Sequence, residues 1–263
     1  MTLQRMKPLY LLSLLVLVLP VSLQWGCEGG PTTYRPPGLF TYRFEGALVK
    51  DLNINFTTIV ATLTREDSIL PNAMIRFGGD SLAFSQDSSF WRIVLPAGDY
   101  VAGDYDIEIQ DSTLFHDTLS AMLADNFAIN NVTPATRIKL TGDEVKLEWT
   151  GSAGSEGYVI AAVKRDAEYT GVGYSQYVTE QATAGIFPDS AFNKPTVNEP
   201  DTGWYYLYVY SYAGKPDSAL SAELLPVPMP SQLGDNIEVR DLIGRFGTIV
   251  VTAFDSMHVV LLP

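Results

Sequence analysis

Apolar and polar positions along this chain fall into three regimes. From Pro8 to Leu23 the run PLYLLSLLVLVLPVSL carries no charge, and the residues before it include Arg5 and Lys7 but no acid. Cys27 and the stretch EGGPTTYRPPG that follows show no apolar period and read as a flexible tether over 27–38. Beyond that, short runs rich in Val, Ile, Thr, Tyr and Phe alternate with polar positions, and Gly or Pro ends each run. No window holds a 3.6-residue period. This pattern predicts an all-β chain: two tandem β-sandwich modules over 39–131 and 132–228, then a C-terminal β-hairpin segment over 229–263 that packs on a preceding module.

In the first module the strands are expected at Asn55–Arg65, Asn72–Phe77, Ser89–Leu95, Tyr105–Gln110 and Asp125–Asn130. Over Asp117–Asp125, DTLSAMLAD, a turn of helix competes with a strand. In the second module Val145–Trp149 alternates, Gly157–Ile160 opens a strand, Gly203–Val209 forms a long one and Ser218–Ser221 leads into the last. After the break at Pro226–Pro230, strands at Ile249–Phe254 and Met257–Leu262 flank a turn expected at Asp255–Ser256. Both are apolar on both faces, and a two-stranded hairpin is marginal alone in water, so another part of the chain must cover them.

Composition supports packed cores, with 46% hydrophobic and 18% charged residues. The N-terminal apolar run is shorter than the roughly 20 residues of a spanning helix, and small residues follow it, so it reads as an export signal removed over 1–26. Leu23-Gln24-Trp25-Gly26-Cys27 is similar to the lipobox of bacterial lipoproteins. That resemblance implies a lipid on Cys27, the only cysteine, which would otherwise be an exported thiol with no partner for a disulfide. It also implies anchoring in the cell envelope, and Glu28 in place of an aspartate after Cys27 implies the outer membrane. With Arg5 and Lys7 gone, 15 of the 17 basic residues face 30 acids and the formal charge moves from -13 to -15. Such a surface argues against nucleic acid and against a basic patch for anionic lipid, so the membrane link falls to the acyl chain.

Two further resemblances follow from the strand runs. Thr62-Leu63-Thr64, Pro71–Ile75, Phe90–Ile93 and Gly98-Asp99-Tyr100 before Gly103–Ile107 resemble a carboxypeptidase-regulatory or immunoglobulin-like sandwich. The second module resembles a fibronectin type III domain, with Trp149 as its core tryptophan and Tyr205, Leu207 and Val209 as the inward face of its sixth strand. The resemblance implies that Tyr205 forms a tyrosine corner, its hydroxyl bonding back to backbone.

Candidate chemistry is sparse. The only histidines are His116 and His258, and the chain holds no zinc-protease helix motif, nucleophile elbow or phosphate loop. His116 and Asp117 are neighbours on a strand and point to opposite faces. Asp104, Asp106 and Glu108 share one strand face at about 7 Å spacing, which favours a solvated face over a hard-cation site needing converging oxygens, with calcium on this row plus Asp99 the lesser alternative. No catalytic residue, metal or cofactor is therefore expected. The informative feature is the outward face of the sixth strand, where Trp204, Tyr206, Tyr208, Tyr210 and Tyr212 stand on successive pleats beside Val159, Ala161 and Val163. Either another part of the chain covers this row, or it is an interaction face built on rigid aromatic anchors. The expected function is a non-catalytic, lipid-anchored envelope protein presenting β-sandwich modules to a protein or glycan. An accessory or degenerate envelope hydrolase and a purely structural spacer are the alternatives.

Overall fold

A computed structural model describes residues 42–111, 115–134, 137–139, 144–165, 173–179, 181–194, 199–214, 233–239 and 241–260. The segments expected as export signal and tether, Cys27, and the strand expected from Ser218 lie outside them. The described residues form β1 (Tyr42–Asp51), β2 (Phe56–Arg65), β3 (Ser68–Ile69), β4 (Met74–Phe77), β5 (Asp80–Ser81), β6 (Ala83–Ser85), β7 (Phe90–Pro96), β8 (Gly103–Asp111) and β9 (Phe115–Leu123). They continue through β10 (Ile129–Thr133), β11 (Arg137–Lys139), β12 (Val145–Trp149), β13 (Gly157–Lys164), β14 (Gly173–Thr179), β15 (Ala184–Phe187), β16 (Gly203–Ala213), β17 (Ile237–Val239) and β18 (Leu242–Val260). The fold is all-β, as the period-2 pattern predicts.

One large sheet has the strand order β14-β13-β16-β18-β1-β2-β7-β6, with β11 and β17 attached to β18 and β3 to β2. Its middle is β18, parallel to β1 from Tyr42↔Leu242 to Asp51↔Val251 and antiparallel to β16. Strands from both sides of residue 131 therefore share this sheet through β18. A four-stranded sheet, β5-β4-β8-β9, packs over the β1 side: Phe77 stacks on Phe246 at 5.7 Å and Tyr42 on Phe115 at 4.1 Å. A three-stranded sheet, β10-β12-β15, packs over the β13 side, where Trp149 meets Tyr158 at 5.4 Å and Phe187 meets Tyr174 at 5.9 Å. Each wholly buried side chain of this kind contributes about 1.5–3 kcal/mol relative to exposure.

Three expectations need correction, and one open alternative is decided. The strand β1 was not anticipated, because YRFEGALVKD carries charge at Arg43, Glu45 and Lys50. Each charge finds a partner only in the fold: Glu45 accepts from Arg245 at 2.7 and 3.0 Å, and buried Lys50 donates to the Tyr100 carbonyl at 2.6 Å. Over Asp117–Asp125 the strand wins. In β9 Leu119, Ala121 and Leu123 turn toward the core while Thr118, Ser120 and Met122 are exposed, and the ladder to β8 runs unbroken from Gly103↔Leu123 to Asp111↔Phe115. The strand expected over Asp125–Asn130 starts only at Ile129.

The last correction concerns the C-terminal hairpin. Its turn lies at Asp241 (φ 63°), between β17 and β18, with Val239 opposite Leu242 and Ile237 opposite Gly244. At 255–256 the chain does not turn. It stays in β18 with one extra residue against β16, since Leu207 faces Phe254 but Tyr205 faces Met257. That is a β-bulge, which leaves one residue unopposed and shifts the register by one.

Candidate functional site

The aromatic row is placed by alternation on β16, and the two faces of that strand enter different cores. Tyr205, Leu207 and Val209 join Tyr158, Ile160, Ala162 and Trp149 in the sandwich interior. There the Tyr205 hydroxyl donates to the Asp201 carbonyl at 2.8 Å, four residues upstream, the geometry of a tyrosine corner. On the opposite face Tyr208, Tyr210 and Tyr212 pack with Val159, Ala161, Val163, Ile249, Val251, Ala47 and Leu233. Register explains the grouping, because Tyr210 lies between Val159 on β13 and Val251 on β18, and Tyr208 between Ala161 and Ala253.

The five aromatic residues do not share one environment. Tyr212, Tyr210 and Tyr208 are 0%, 1% and 9% exposed, Tyr206 is half-buried, and Trp204 at the strand's start is 45% exposed. Neighbouring tyrosine rings run along the row at 5.9, 5.8 and 6.5 Å. Burial pushes the Tyr212 phenol well above its usual range. Its hydroxyl has no hydrogen-bond partner among the described residues. The accessible part of the candidate face is thus its Trp204 end, and the Tyr210 end is core.

At that end the Trp204 indole lies flat on the His258 ring, with centroids 4.5 Å apart and planes 10° from parallel. The Arg165 guanidinium sits 5.2 Å from the centre of the Tyr206 ring, within cation–π range. Sequence reasoning assigned His258 no part here, and the bulge is the reason. Continuing the register that pairs Leu207 with Phe254 would set Met257 opposite Trp204 and turn His258 inward. The extra residue instead buries Met257 completely opposite Tyr205 and brings His258 out beside Trp204. Chemically, the arrangement offers a flat aromatic surface with polar edges, suited to contact rather than to proton transfer.

The remaining candidates are dispersed. His116 is exposed on β9 and Asp117 half-buried. Asp104 and Asp106 are exposed on β8, and Glu108 pairs with Arg76 at 3.5 Å. Among the described residues no three His, Cys, Asp or Glu side chains are grouped to hold a metal ion. No helix among those residues is long and apolar enough to cross a membrane.

No family model matches this sequence, and no curated protein matches it. Among solved structures, the chain is similar to the chicken CNTN1 FN1–FN3 domains at 14% identity, covering 64% of this chain and 57% of that one, with a TM-score of 0.29. The full extracellular region of plexin A4 gives 12% identity, 77% and 16% coverage and a TM-score of 0.31. A Bacteroides ovatus protein, SGBP-B of a mixed-linkage glucan utilization locus in complex with a mixed-linkage heptasaccharide, gives 10% identity, 78% and 53% coverage and a TM-score of 0.16. The chain therefore spans less than two thirds of each of these proteins, and TM-scores of this size assign no function.

Proposed function

We propose that this is a non-catalytic protein of the bacterial cell envelope, anchored in the outer membrane through a lipid on Cys27, that presents its β-sandwich modules to a protein or glycan. Contact is made at the Trp204 end of the aromatic row. One observation carries this reading: at the end of a row that is buried from Tyr208 to Tyr212, a large indole stands 45% exposed and is held flat by a stacked histidine. An exposed aromatic ring costs free energy in water, and a rigid one loses little entropy on binding, which makes it an efficient anchor. The bulge at 255–256 supports the same reading, since such irregularities re-aim side chains next to functional sites. His258 lies against Trp204 and His116 stands exposed on β9, so the two histidines do not converge on a shared reactive centre.

Tryptophan fluorescence tests the proposal directly. Trp91 and Trp149 are 1% and 2% exposed, and Trp25 falls within the expected export signal, so Trp204 is the solvent-facing reporter of the mature chain. Titration with soluble envelope polysaccharides and envelope proteins should shift its emission, and Trp204→Ala should weaken binding about tenfold, the scale of one lost aromatic anchor. Binding unchanged by Trp204→Ala would refute the assignment of the site. Cys27→Ser should move the protein out of the membrane fraction, and an unmodified Cys27 in the native mature chain would refute the anchor.

A further inference from the structure

Away from the aromatic row, a cleft of about 860 Å³ opens beside β9. One wall is formed by the consecutive residues Leu119, Ser120, Ala121 and Met122, and the facing wall by consecutive residues from Gly234 to Val239. Side chains on a strand alternate between faces, so a wall made of consecutive residues is the edge of the strand, where backbone groups point outward.

The direction of those groups follows from the ladders. Gly78 donates to the Asp106 carbonyl on the β4 side of β8, so the even-numbered residues of β8 bond toward β4 and the odd-numbered ones toward β9. Ala121 and Leu119, opposite Tyr105 and Ile107, are therefore bonded to β8, and Thr118, Ser120 and Met122 turn their amides and carbonyls away from it. Two contacts agree with this. The Thr248 hydroxyl donates to the Met122 carbonyl at 2.6 Å, and the Thr118 amide donates to the Asp117 carboxylate at 2.8 Å. Within the cleft the Ser120 amide and carbonyl and the Met122 amide have no partner among the described residues.

Among the described residues most other sheet edges are short or irregular, although β14 is a regular seven-residue edge, Gly173–Thr179. The edge strands β5 and β6 are two and three residues long, and β10 carries a bulge between Ile129 and Asn131. By contrast β9 runs for nine residues, FHDTLSAML, without Pro, Lys, Arg or a bulge. A nine-residue edge without proline, a basic residue or a bulge, part of which lines a cleft, can template another strand. The cleft is long enough for a single strand, since four residues of β9 span about 13 Å. Its charge narrows the partner. Asp104, which is opposite Met122, Glu156 and Asp235 line it, and no Lys or Arg does among the described residues. Arg43 partly offsets Asp235 at 3.1 Å, and Glu156 accepts from the Gly214 amide at 3.0 Å, while Asp104 is exposed.

We infer that the β9 edge in this cleft is a strand-addition site for an extended, basic polypeptide segment of a partner protein. Main-chain bonds to Ser120 and Met122 supply the pairing, and the carboxylates select lysine or arginine on the incoming strand. The test uses the mature protein and a synthetic peptide alternating lysine with valine. The peptide should bind, and more weakly as salt rises. Methylating the peptide amides that face β9 should weaken it about tenfold or more. Ser120→Pro should do the same with an unchanged melting temperature, because the Ser120 amide does not serve the β8 ladder and edge strands accept proline at such positions. Trp204→Ala should leave this binding unaltered, which separates it from the aromatic site. No binding by the lysine–valine peptide, equal binding by a glutamate–valine peptide, or binding that survives amide methylation would each overturn the inference. If Ser120→Pro does not fold, the methylated peptide against the native chain decides.

Discussion

Replacing Tyr210 by alanine removes a ring that is 1% exposed and wedged between Val159 and Val251, with the rings of Tyr208 and Tyr212 at 5.8 and 6.5 Å. The loss combines the transfer free energy of the aromatic area with a cavity that strands on both sides cannot close, and large buried aromatics truncated to alanine cost about 3–5 kcal/mol. Trp204 lies on the same face of the same strand, yet it is 45% exposed and its main contact is the His258 stack, an interaction worth about 0.5–1.5 kcal/mol. Trp204→Ala should therefore cost about 1 kcal/mol. Equilibrium urea unfolding followed by far-ultraviolet circular dichroism measures both, provided the slope with denaturant is unchanged between variants. A Tyr210→Ala protein that loses less than about 1 kcal/mol, or equal losses at the two positions, would show that the row is not divided into a buried seam and an exposed end.

Two further outcomes follow from the β1–β18 ladder. Gly244 has φ +141°, and a Cβ there would fall 1.8 Å from the Phe44 carbonyl oxygen, so Gly244→Ala should break the parallel pairing and cost more than about 4 kcal/mol, read as loss of the cooperative unfolding transition. Glu45 sets an acid limit: burial alone would raise its carboxyl, but the hydrogen bonds and charges of Arg245 and Arg43 outweigh that and hold it below the usual carboxylate range. A depressed folded-state value means that this stabilisation is complete above the unfolded value of about 4.3 and is lost as pH falls through the folded one. Melting temperatures between neutral and strongly acid pH should accordingly fall less steeply in Glu45→Gln than in the native chain.

Much of the architecture was legible because most strands here alternate with a period of two. The run Val145–Trp149 and the two faces of Gly203–Ala213 could be read from residue identity alone. What could not be read were features whose partners lie far along the chain. The charges of β1 look wrong for an interior strand until Arg245, 200 residues away from Glu45, closes on it. The Asp255-Ser256 pair has the composition of a turn, and only the competing strand β16 turns it into a bulge. For the same reason His258 could not be assigned to the site: its face depends on that one-residue shift. Alternation also set which side the tyrosines occupy but was silent on what lies over them, so the division of the row between Trp204 and Tyr210 had to come from the packed structure.

Site-specific photo-crosslinking in living cells addresses the proposed role of that exposed end. A photoreactive aromatic residue at position 204, in the full chain at its native level, should yield a discrete adduct with an envelope protein or glycan, and the same residue at position 206 a weaker one. Placed at the exposed position 94 on β7, as a surface control, it should yield none. Equal labelling at 94 and 204, or no adduct at 204 under conditions where the protein is folded, would contradict a docking site at the Trp204–His258 stack.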